Sequence, residues 1–99
     1  MANYDRAQVR LLILLILQKQ TQYQAHQGTL LNALSQQGFT LSRDNLYIEL
    51  AWLENTADAI VDRMSGSVHI AILTPAGMEI ADGVVEIPGI ARPLPGQAI

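Results

Sequence analysis

Residues 39–77, FTLSRDNLYIELAWLENTADAIVDRMSGSVHIAILTPAG, decide how this chain folds. Ser42 stands where a helix needs an N-cap, its hydroxyl able to accept a bond from a free amide of the first turn. Behind it Leu46, Leu50 and Leu53 recur at i, i+4 and i+7, which predicts a helix to about residue 56 and fixes its inward face. Asn45, Ile48, Glu49 and Trp52 fall elsewhere on that helix. Ile48 is expected at the surface or in an interface, and Trp52 in the domain interior. Ala59 to Met64 and Val68 to Thr74 predict two strands, since Val68, Ile70 and Ile72 alternate with His69, Ala71 and Leu73. Ser65, Gly66 and Ser67 supply a three-residue loop between them. Thr74 and Pro75 then open a short helix, the threonine capping and the proline preset in φ with no amide to waste, and Gly83 ends it.

Working outward, a helix over Thr29 to Gln37 precedes this segment, with Leu30, Leu31 and Leu34 on one face and Gly38 as a left-handed stop. Thr21 to Gln27 is a polar connection with room for a very short strand that pairs with the later hairpin. The first helix is expected from about Asn3, as cap, to Lys19, with Asp5 placed to suit the helix dipole. Its run Leu11 to Leu17 is aliphatic throughout. A membrane span needs about 20 apolar residues, and Gln18, Lys19, Gln20 and Thr21 stand where the small residues of a signal-peptide cleavage site would be. The expectation is therefore no membrane and a cytoplasmic protein. Side chains that are aliphatic on every face need cover on two sides. The cover is either a second copy, a homodimer through Leu11, Ile13, Leu14 and Leu17, or the chain's own helices and tail. From Val84 onward Pro88, Gly89, Pro93, Pro95 and Gly96 predict an extended tail over residues 84–99, following a domain over residues 1–83.

Helix, turn, helix, strand, loop, strand, helix is the order of an α+β winged helix-turn-helix, with a three-helix core, a two-stranded wing, a short C-terminal helix and the tail. Ninety-nine residues, 49% of them hydrophobic, suffice for one core and not two. Six Lys and Arg against nine Asp and Glu give a net charge of −3, opposed to the basic footprint of most nucleic-acid binders. The absence of cysteine excludes disulfides, thiolate nucleophiles and cysteine-ligated metals. His26 and His69 lack metal-ligand spacing, Asp58 and Asp62 read as solvated charges, and no glycine-rich phosphate loop is present. No catalysis, metal or cofactor is expected.

Duplex DNA would meet Ser42, Arg43, Asn45 and Tyr47 in the first half of the third helix, with Arg63 on the phosphate backbone. Two arginines per protomer imply a log-log salt slope of about −4 for a dimer. Against this stand Asp44, Glu49 and Glu54 on the same helix, and the alternative for Arg43 is a pairing with a surface carboxylate. Tyr47, Ile48 and Trp52 suit a protein interface as well as a DNA surface.

Ser42 to Glu54 (SRDNLYIELAWLE), Leu73 to Gly77 (LTPAG) and Ile87 to Gly96 (IPGIARPLPG) together resemble the small winged-helix proteins of Mu-like transposable phages and prophages, often labelled ArsR-like regulators. The resemblance runs from the first helix into the tail. It implies a phage origin, expression in a bacterial host cell and a winged-helix fold. Tyr47 and Ile48 stand where members of that family tend to carry polar or basic residues. The metal sensing of ArsR proteins does not carry over to a chain with no cysteine and two scattered histidines. Two functions are therefore expected as alternatives: a metal-independent DNA-binding regulator or accessory factor, and a protein-interaction module of phage head assembly or DNA packaging that has kept the fold without strong DNA affinity.

Overall fold

The computed structural model describes residues 4–95; Asn3, expected as the first cap, and Gly96 of the tail lie outside them. The elements run α1 (Arg6–Gln18), a 3-10 turn (Thr21–Tyr23), β1 (Gln24–His26), α2 (Gln27–Gln36), α3 (Arg43–Asn55), β2 (Ile60–Ser65), β3 (Val68–Leu73) and α4 (Pro75–Ala81). This is an α+β fold of four helices and one antiparallel sheet in the order β1-β3-β2, compatible with a wing-like arrangement.

Local chemistry sets each boundary. Asp5 caps α1 by accepting from the Gln8 amide. The His26 ring caps α2, its Nδ1 accepting from the Gly28 amide at 3.1 Å, so α2 begins two residues before the expected Thr29. A side chain not ranked among the usual caps thus moved the start. Gly38, at φ 92°, closes α2 in a Schellman turn: its amide donates to the Ser35 carbonyl, and that of Phe39 to Leu34. Ser42 caps α3 through the Asn45 amide, and Thr74 caps α4 through the Gly77 amide, with Pro75 at the first helical position. The hairpin turn has two residues rather than three, because Ser65 pairs with Val68, and Gly66 takes the positive φ (64°) that such a turn needs.

One core holds the chain together. Leu11, Ile13, Leu14 and Leu17 of α1 are fully buried against Leu30 and Leu34 of α2, Leu46, Leu50 and Leu53 of α3, Ile60 of β2 and Ile80 of α4. Burying each such side chain contributes about 1.5–3 kcal/mol. The homodimer interface expected on those four α1 residues is therefore corrected, since none of them reaches the surface of a single chain. The second cover comes from residues 84–95. Instead of extending away, this segment turns back over α1 and α3: Ile90 enters the core, the Ala91 amide donates to the Ala7 carbonyl at 3.1 Å, and Arg10 Nη1 donates to the Gly89 carbonyl at 3.0 Å.

Cross-strand register assigns the faces of the sheet. Ile60, Asp62 and Met64 oppose Leu73, Ala71 and His69 on the side of the helices, where Ile60, Ala71 and Leu73 are buried. Val61, Arg63 and Ser65 oppose Ile72, Ile70 and Val68 on the other side, continued by Gln24 and His26 of β1.

Candidate nucleic-acid interface

Helix α3 presents Arg43, Asp44, Ile48, Ala51 and Asn55 to solvent, and Asn45 is partly exposed. Asp44, Ile48, Ala51 and Asn55 are spaced i, i+4, i+7 and i+11, which makes them the outward stripe of a helix whose opposite side carries the leucines. Among the described residues, Arg43 makes no hydrogen bond or ion pair, so the expected alternative of a surface pairing is not formed. Ser42 is exposed and already occupied as the cap.

The other expected contacts do not join this surface. Tyr47 is partly buried: its hydroxyl donates to Gln27 Oε1 at 2.8 Å, and its ring stacks on His69 with centroids 3.9 Å apart. Gln27 Oε1 also accepts the His69 amide at 3.0 Å. The His69 ring meets Asp62 at 2.8 Å, so Asp62 is not the solvated charge expected of it, whereas Asp58 is exposed. Arg63 lies on the sheet face turned away from the helices, and so is not grouped with Arg43.

Two carboxylates expected to burden α3 with negative charge are turned inward. Glu54 accepts the Asp62 amide at 2.8 Å and so covers part of the free edge of β2. Glu49 is fully buried, with Oε2 accepting from the Tyr4 hydroxyl (2.6 Å) and Arg6 Nε (2.9 Å), and Oε1 from Arg10 Nε (2.8 Å). Burial alone would raise the Glu49 pKa. The hydrogen bonds from Tyr4, Arg10 and Arg6 outweigh it and hold the carboxyl below its ordinary value. Tyr4 moves the opposite way, pushed up to about 12 by burial and by its bond to the Glu49 carboxylate. The Arg10 guanidinium lies 3.8 Å over the Trp52 ring, a cation–π contact that leaves Trp52 partly buried. The i+3 and i+4 neighbours of Glu49 gave no sign of this cluster, because its partners lie about 40 residues away in sequence. The spacing of Glu49, three residues after Leu46 and four before Leu53 and so on the flank of the leucine face, in a chain with two N-terminal arginines, was the one available signal.

Among the described residues no group of three or more histidines, aspartates or glutamates is placed to hold a metal ion, and no buried side-chain nitrogen or oxygen lacks a partner. No helix among them is long and apolar enough to cross a membrane. No family model, no curated protein and no solved structure matches the chain.

Proposed function

We propose that the chain is a winged helix-turn-helix module that lays the first half of α3 on duplex DNA, serving as a metal-independent phage regulator or accessory factor in the host cytoplasm. Supporting this reading are the order of elements, the β1-β3-β2 sheet and, above all, the state of the charges on α3. Glu49 and Glu54 are spent on internal bonds while Arg43 is left unpaired at the solvent end of the helix. One arginine supplies little counterion release. The log-log salt slope is about −0.9 per chain, so affinity falls only about threefold between 50 and 200 mM salt. The test is an anisotropy titration on phage duplex DNA at low salt, with Arg43→Ala beside the parent. Loss of binding in the variant supports the reading; equal affinity, or none for either protein, removes it.

A second reading is favoured by the outward stripe of α3, where Asp44 and the 52% exposed Ile48 are poor partners for phosphate and good ones for a protein. In that case α3 docks a phage assembly or packaging protein. Co-purification from infected cells then recovers a protein partner that nuclease treatment does not release.

A further inference from the structure

The outward face of the sheet is more apolar than its exposure to water calls for. In an antiparallel sheet with one wet face, apolar side chains pack inward and polar ones face water. Here the inward face spends two positions on Asp62 and His69, which satisfy each other, while Val61, Val68, Ile70 and Ile72 point outward. Val61 and Val68 remain 48% and 37% exposed. Arg63 stands among them, in register with Ile70 and, across β3, with His26, and among the described residues it has no hydrogen-bond or ion-pair partner. Next to Ile70 the face continues into a hollow of about 260 Å³ lined by Gln20, Gln24 and Thr29.

Size and charge select the occupant. Two strands of six residues span ~20 Å and the three-residue β1 about half that, at ~4.8 Å per strand, giving a face of roughly 250 Å². A stable homodimer buries about 800 Å² on each partner, so two copies of this sheet cannot hold each other through it. A single helix, about 10 Å across, covers such a face and binds weakly and transiently, as interfaces of under about 1,000 Å² do. Arg63 is the one formally charged residue in the outward register, so the complementary segment is aliphatic along one side and carries a carboxylate. We propose that the outer face of the sheet receives one amphipathic helix of another protein, its aliphatic side chains lying on Val61, Ile70 and Ile72 and its carboxylate meeting Arg63. The site is independent of the DNA reading, which uses α3 on the other side of the sheet.

The experiment titrates the full chain, followed by backbone amide NMR, with a synthetic helical peptide bearing leucines along one side and a single flanking glutamate, and with its glutamine counterpart. The glutamate peptide is expected to move β2 and β3 signals around Arg63 and Ile70, and to bind about fivefold more tightly than the glutamine peptide. Arg63→Gln should erase that preference, and Val61→Thr should weaken both peptides; both positions are exposed, so the variants fold. Equal affinity for the two peptides, perturbation centred on α3 or the tail, or no response at millimolar peptide overturns the proposal. So does self-association that depends on Val61. Arg43→Ala leaves peptide binding unchanged, whatever it does to DNA retention, which separates failure of one reading from failure of the other.

Discussion

Arg10 donates from Nε to Glu49 Oε1 at 2.8 Å, and through that bond a carboxylate on α3 fixes the position of α1 and of the returning tail at once. Arg6 and Tyr4 hold the second oxygen of the same carboxylate, and Trp52 lies under the Arg10 guanidinium. Placement of the helix proposed to meet DNA thus depends on residues that never touch its outer surface.

Glu49→Gln should be among the most destabilising polar changes in the chain. Taking one partner from a buried ion pair leaves the other uncompensated, at a cost of about 3–5 kcal/mol. Glu86 pairs with Arg92 at the surface at 2.7 Å, and Glu86→Gln should stay within about 0.5 kcal/mol of the parent. Urea denaturation midpoints of the two variants make the comparison.

The same cluster sets the pH limits. The Glu49 pKa is lowered on folding, so its contribution is complete above the unfolded value of about 4.3 and is lost as pH falls through the folded one. The Tyr4 pKa is raised to about 12, so its contribution is complete below about 10 and is lost as pH rises through 12. An ultraviolet titration should contain one tyrosinate step near 12 that disappears in Tyr4→Phe.

Gly77→Ala should damage the join between α3 and the hairpin. A Cβ there would come 2.1 Å from the Ala59 carbonyl oxygen and 2.7 Å from Leu73 Cδ1. A backbone carbonyl held by the Thr74 amide cannot step aside, and overpacking of this kind costs on the order of 3 kcal/mol. The thermal midpoint measures the loss.

Ile13→Asp tests the burial of α1. A carboxylate at a fully buried position should prevent folding outright, and the parent's thermal midpoint should not vary with protein concentration, as it would for an obligate dimer. A folded Ile13→Asp chain would contradict the packing described.

Gly89→Ala should loosen the tail without unfolding the rest. Gly89 has φ 98°, and a Cβ would lie 2.7 Å from the Trp52 ring. A shift in Trp52 fluorescence and faster cleavage after the exposed Glu86 by a glutamate-specific protease, with most of the stability retained, are the expected signs.

What the sequence made legible was local. Ser42, Thr74, Pro75 and Gly38 each act within four residues, and the leucines of α3 report a single periodicity, so those elements stand within a residue or two of expectation. The LTPAG pattern also finds its reason in the close approach of Gly77 to Ala59. What stayed hidden depends on distant pairings. Alternation in β3 showed two faces without saying which is inward; the answer lies in the satisfaction of His69 by Asp62, Tyr47 and Gln27. Tyr47 looked like a reading residue because nothing near it in sequence reveals the amide of Gln27. Arg63 looked like a wing contact because the parity of β2 could not be oriented without Ile60 in the core.

The returning tail also has a temporal meaning. Gly89, Ile90 and Ala91 close against Ala7 and Arg10, near the opposite end of the described chain. During translation α1 leaves the ribosome roughly 70 residues ahead of residue 91, and its aliphatic flank stays open until that residue has followed it. At about 5–20 residues per second that interval lasts on the order of 4–15 s, and through it the flank is available to chaperones.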